Sequence, residues 1–160
     1  MMQMNKLYDE IYHKYKYDVF RLIYSYTLNR EDANDIFQRV FLKLYLHIKK
    51  FVNSDDNVKR WLFRVASNEC KNHLKSFWIS KRTLVDDISN LDRINNKDNS
   101  IIESLKHISS LYRIPLFLYY YEGYDINEIS KIMGLSISNV KQRLKRGREK
   151  LKGELEDKYE

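Results

Sequence analysis

EISKIMGLSISNVKQRLKRGREKL, from Glu128 to Leu151, reads as two short helices joined by a tight turn at Gly134. At 100° per residue, Val140, Leu144, Gly147 and Leu151 fall in a narrow arc of the second helix. Lys141, Gln142, Lys145 and Arg146 fall roughly opposite, so one face packs and the other reaches outward with positive charge. That is the geometry of a helix-turn-helix whose second helix enters a DNA major groove.

Outward from this stretch, the chain of 160 residues has room for one domain or two small ones. Its charge is unevenly spread: residues 1–85 hold 16 basic and 9 acidic side chains, 86–103 hold 2 and 5, and 104–160 hold 11 and 8. Two basic domains around an acidic connector follow from that distribution. The net charge of +7 fits a polyanionic partner, although solubility alone also accounts for moderate basicity. No apolar run approaches the roughly 20 residues of a membrane span, and the first residues lack a signal-like apolar core. A soluble, cytoplasmic protein without membrane insertion is expected. One cysteine, Cys70, and four scattered histidines offer neither an internal disulfide nor a metal cluster, so no cofactor or metal is expected.

The periodicity predicts an all-α protein. Leu7, Ile11, Tyr15, Phe20, Ile23, Tyr24 and Tyr26 predict a long helix over 5–28. After a break at Asn29 and Arg30, Ile36, Phe37, Val40, Phe41, Leu44 and Ile48 form the apolar stripe of a second helix, with Glu31 and Asp32 at its positive end. Asp35, Gln38 and Arg39 occupy its polar side. Residues 49–59 read as a loop, in which Asp55 or Asp56 could cap the following helix over about 57–77. On that helix Leu62, Ala66, Cys70 and Leu74 should face the core. Trp61, Arg64, Asn68, Lys71 and Lys75, at steps of 3 and 4, share about 80° of the surface. A ring interleaved with cations suits single-stranded nucleic acid, because stacking tolerates any base while cations follow phosphates. A solvated face with one half-buried tryptophan is the alternative reading.

Residues 78–100 lose periodicity and read as a flexible acidic linker, separating a domain at 1–77 from one at 101–160. Ile101, Ile102, Leu105 and Ile108 begin the second domain. In YRIPLFLYYYEGY, Pro115 is tolerable only in the first turn of a helix, Gly123 terminates that helix, and the tyrosine run leaves a strand as the local alternative, with helix preferred because no partner strand is apparent.

Taken together, DANDIFQRVF (32–41), RWLFRVASNECKNHLKS (60–76) and LYRIPLFLYYYEGYDINEISKIMGLSISNVKQRLKRGREKL (111–151) resemble region 2 and region 4 of bacterial sigma factors of the extracytoplasmic-function (ECF) group. The resemblance covers roughly Leu7 to Leu151. It implies a non-enzymatic specificity subunit that joins core RNA polymerase, through the clamp helices and flap, and directs it to promoter DNA. Asp35, Gln38 and Arg39 match the clamp-docking positions, with Arg39 where an acidic residue is usual and Asn34 where Glu is frequent. Phe51 and Asn68 match positions around a flipped minus-10 base, and Trp61, Arg64, Lys71 and Lys75 would follow the melted strand. Lys141, Gln142, Lys145 and Arg146 match the minus-35 reading face, with Arg143 and Arg148 on phosphates. The linker would thread toward the RNA exit path. An anti-sigma factor is a common partner in this group. The competing class is a helix-turn-helix regulator whose first 77 residues form a sensor or dimerisation domain; such a regulator has no use for the Trp61–Lys75 face. A basic RNA-processing enzyme would need clustered carboxylates for metal-assisted hydrolysis, and the chain has none.

Overall fold

The computed structural model describes residues 2–54, 57–80 and 99–159, which are all helical or in turns, and its contacts divide the chain into Met1–Asn90 and Leu91–Glu160. The first unit packs α1 (Met2–Thr27), α2 (Arg30–Leu46) and α3 (Val58–Ser80) mutually against one another. The break after α1 is made at Leu28, whose N–H still donates to the Tyr24 carbonyl at 2.8 Å and whose positive φ of 50° then turns the chain out of the helix. Asn29 then caps α2 by accepting from the Asp32 N–H at 3.0 Å, an end that Glu31 and Asp32 further favour through the helix dipole.

The core takes Val19, Leu22 and Ile23 from α1, Ile36, Val40 and Leu44 from α2, and Leu62, Phe63, Ala66 and Cys70 from α3, all fully buried. Phe37 and Leu74, expected inside, are half-buried. Burial pushes the Cys70 thiol far up, which leaves it an inert space-filler. A second layer is aromatic: Phe37 and Phe41 pack at 4.7 Å, and Tyr12 lies edge-on to Phe41 at 5.0 Å. Tyr26 and Ser67 bond hydroxyl to hydroxyl at 2.5 Å across α1 and α3, satisfying two buried polar groups.

The expected loop begins instead as a 3-10 turn, Ile48–Phe51, that buries both its terminal side chains. Asp55 and Asp56 lie outside the described residues; Asn57 supplies the cap, accepting from the Arg60 N–H at 3.0 Å. α3 runs on to Ser80 rather than ending at Phe77, and the rest of the expected linker up to residue 98 lies outside the described residues.

The second unit holds α4 (Asn99–Leu105), α5 (Ser110–Leu116), α6 (Ile126–Met133) and α7 (Ile137–Tyr159). Pro115 sits near the end of α5, not in its first turn. It withdraws the N–H that the Leu111 carbonyl would accept, and the ladder slips directly afterwards into a π turn, Phe117–Tyr121, which takes up the tyrosine run as helix rather than strand. Glu122 N–H reaches back five residues to Phe117 at 3.1 Å, and Gly123 ends the segment at φ 74°. Ile102, Leu105 and Ile108 are buried, and the short helix expected from Ile101, Ile102, Leu105 and Ile108 ends at Leu105, leaving Ile108 in the turn after it. Arg113 is buried too, 5% exposed; burial lowers its pKa to about 10, and it donates to the Ile108 carbonyl at 2.7 Å, tying α5 to the preceding turn. α7 crosses α5 where Gly147 meets Leu116.

Candidate nucleic-acid interface

α6 begins at Asp125, whose carboxylate accepts from the Glu128 N–H at 2.8 Å. It ends at Gly134, in the left-handed conformation at φ 66°, with Leu135 N–H returning to the Ser130 carbonyl at 3.1 Å. Ser136 caps α7 by accepting from Asn139 N–H at 3.1 Å. A turn of three residues thus joins two helices whose buried residues, Ile129, Ile132 and Met133 against Val140 and Leu144, face one another across a common core. Lys141, Gln142, Lys145 and Arg146 are exposed on the opposite side of α7.

The two arginines assigned to phosphates are held by neighbours. Arg143 donates through Nε to Asn139 Oδ1 at 2.9 Å. Arg148 donates through Nε to the Tyr120 hydroxyl at 2.6 Å, and its guanidinium lies 5.6 Å and 5.7 Å from the Tyr119 and Tyr120 ring centroids. The tyrosine run of the π turn therefore serves as a shelf that orients a cation on α7.

In the other unit, Arg64, Asn68 and Lys75 are exposed along α3, with Trp61 and Lys71 half-buried on the same face. Phe51 differs from its sequence-based assignment. It is 4% exposed and lies edge-on beneath Trp61 at 5.1 Å, because the 3-10 turn folds it inward. Its ring is not available to stack on a base; it fixes the indole from below, with His47 at 5.8 Å on another side.

On α2, Asp35, Gln38 and Arg39 are exposed, and Arg39 Nη1 lies 3.8 Å from Glu69 Oε2 on α3. Glu69 is 8% exposed and also pairs with Lys43, so a buried carboxylate from the helix of Asn68 is held by two cations of α2. The sequence reading missed the continuation of this α2 face. Leu42, Tyr45 and Leu46, exposed at 57%, 53% and 68%, follow Asp35, Gln38 and Arg39 at steps of three and four. The helical period alone finds them, since all three fall outside the stripe of Ile36, Val40 and Leu44 and continue the side of Asp35, Gln38 and Arg39. It also missed Ile137 and Ser138, exposed in the first turn of α7. Among the described residues, no group of three His, Cys, Asp or Glu side chains is placed to hold a metal ion, and no helix is long and apolar enough to cross a membrane.

Comparison with known families matches Sigma-70 region 2 over residues 11–79 and Sigma-70 region 4 over residues 98–151, together most of the chain. The chain belongs to the ECF group of RNA polymerase sigma factors. Among its relatives, the ECF RNA polymerase sigma factor SigM of Bacillus subtilis is 36% identical over 152 residues, spanning 90% of this chain and 92% of that one. SigW of the same organism is 24% identical over 161 residues, spanning 89% and 86%. Two solved structures share the fold. The sigma factor RpoE of Bartonella quintana, in complex with the anti-sigma factor NepR, matches with a TM-score of 0.72 at 19% identity over 92% of this sigma factor and 96% of that chain. CnrH, in complex with the cytosolic domain of CnrY, matches with a TM-score of 0.68 at 19% identity over 96% and 90%.

Proposed function

We propose that this ECF sigma factor divides promoter recognition between its two units: α3 holds the melted minus-10 strand and α7 anchors the minus-35 duplex. The observation that carries the reading is the α3 face, where Trp61, Arg64, Asn68, Lys71 and Lys75 follow one another along one side of a helix. A duplex-only reader has no need of that face. A strand leaving its helix loses stacking and pairing, and an indole, a base-capturing amide and a row of cations compensate in part. Phe51 contributes by holding the indole, not by touching DNA. Purified chain with core polymerase should yield promoter-dependent transcripts; none, across several cognate promoters, would overturn the reading.

Core polymerase docks on the α2 face of Asp35, Gln38 and Arg39, extended by Leu42, Tyr45 and Leu46, with the flap engaging the second unit. Exposed apolar side chains rimmed by polar ones mark a protein interface. The chain acts where core polymerase acts, in the cytoplasm, and performs no covalent chemistry, because the nucleotide-condensing metals belong to the polymerase. An anti-sigma factor is a further partner, as NepR is for the Bartonella protein.

Along α7, Arg148 lies about 16 Å from Ile137 at 1.5 Å per residue, beyond the roughly 12 Å width of the major groove. Arg148, at the far end, therefore meets backbone, and so does Arg143, which is half-buried, bonded to Asn139 and set off the exposed reading face. Gln142→Ala or Lys145→Ala should change minus-35 preference by about 1–3 kcal/mol per lost base contact, whereas Arg143→Ala should lower the slope of log affinity against log salt by about one. Binding measured over a panel of minus-35 variants at several salt concentrations checks both; uniform weakening by all three would overturn the division. Asn68→Ala should slow open-complex formation while sparing initial promoter binding, as followed by permanganate reactivity and mobility shift. Equal loss in both steps would remove the base-capture role.

A further inference from the structure

α7 carries, among its cations, an apolar side chain that the fold does not use. Ile137 opens the helix directly after the Ser136 cap and is 45% exposed. A hydrophobic staple at this helix start would join the residue before the cap to the fourth helical one, here Leu135 and Val140. Val140 is fully buried. Ile137 stands outside that pairing. It lines an open cleft of about 380 Å3 with Tyr119, Ile126 and Lys141, beside Asp125 and Asn127, and lies one turn before Lys141 on the same side of the helix.

The first residues of the second helix are those a helix-turn-helix brings to base edges. The apolar feature that base edges present in the major groove is the 5-methyl group of thymine. The exposed cations that follow Ile137 on its side of the helix, Lys141 and Lys145, match a polyanion rather than an apolar peptide. We infer that Ile137 reads a thymine of the upstream duplex through its 5-methyl group, so that this sigma factor demands an A·T pair at one minus-35 position. The inference rests on the minus-35 role of α7. It adds a specificity determinant at a position that forms no hydrogen bond through its side chain, and so is invisible to a search for polar base readers.

Replacing thymine by deoxyuridine removes the methyl group and leaves every hydrogen-bonding edge intact. The holoenzyme is first used to enrich upstream elements from a duplex library randomised in that segment. Each thymine of the enriched element is then replaced singly by deoxyuridine, and promoter binding is measured with wild type and Ile137→Ala. For wild type, one position should weaken about fourfold, the value of one buried apolar carbon. Ile137→Ala should be indifferent to uracil at that position while keeping its sensitivity to base changes elsewhere in the element, which also demonstrates that the variant is folded. Tolerance of uracil everywhere by wild type, or an unchanged uracil penalty in Ile137→Ala, would overturn the inference and leave the minus-35 role standing. Failure of the wild-type holoenzyme to enrich any upstream element would instead overturn the role of α7.

Discussion

Phe63→Ala is expected to remove about 3–5 kcal/mol from the first unit, the cost of deleting a fully buried ring. Phe63 has no exposed surface and stands on α3 between Leu62 and Arg64, one residue inward from the nucleic-acid face. It is enclosed by a three-helix core, with the Lys59 ammonium 5.4 Å above its ring. Small domains have total stabilities of about 5–15 kcal/mol, so a loss of this size removes a large fraction of what holds the unit folded. Minus-10 capture should fail with it, although no residue of the proposed strand-binding face has changed. Urea unfolding followed by far-ultraviolet circular dichroism measures the loss; a change below about 1 kcal/mol would mean that the helices close over the vacated space far more fully than large-to-small core substitutions usually permit.

The second large effect concerns Gly147. A Cβ at this position would stand 3.0 Å from Leu116 Cδ1 and 3.1 Å from its Cγ, so the glycine is what lets α7 cross α5 closely. For Gly147→Ala two effects oppose each other. Alanine gains about 1 kcal/mol in helix propensity, while Leu116, a side chain with some freedom, must shift by a few tenths of an ångström. A nearly neutral outcome is expected. Gly147→Val adds two more carbons that the fully packed Leu116 region cannot receive, and overpacking of this kind costs about 1–3 kcal/mol. Hydrogen exchange should then accelerate at the amides of α6 and α7, and minus-35 recognition should weaken for every sequence alike. A valine variant as protected as wild type would show that α5 and α7 can separate without loss.

The same two positions show what periodicity can and cannot express. Phe63 was not among the core residues that the sequence pattern selected on α3, because Leu62, Ala66, Cys70 and Leu74 already completed a stripe. The structure buries a broader arc, since α3 is covered by both α1 and α2. Gly147, by contrast, fell in the apolar arc of Val140, Leu144 and Leu151 from spacing alone, and that arc is the buried face. Phe51 was misplaced, and the seat of Arg148 went unseen, for a common reason. Each has a residue type that suits contact with DNA, and each is engaged by an aromatic partner: Phe51 by Trp61, ten residues on, and Arg148 by Tyr120 from another helix. Pro115 was assigned to a first helical turn because a missing N–H costs nothing there. The chain instead accepts it later and shifts to π spacing.

The sequence by itself determined that this protein is helical, that it carries region 2 and region 4 of a sigma factor in that order, and which faces of α3 and α7 are polar. Those properties are set by residues three and four apart on a single helix, and they need no knowledge of what lies opposite. Tertiary structure alone decided that Phe51 underlies Trp61, that Glu69 gathers Arg39 and Lys43 across two helices, that Tyr119 and Tyr120 seat Arg148, and that Ile137 remains uncovered. Each of these depends on side chains brought together from different elements or left partly exposed. Burial and partnership are properties of the packed chain, and no local repeat encodes them.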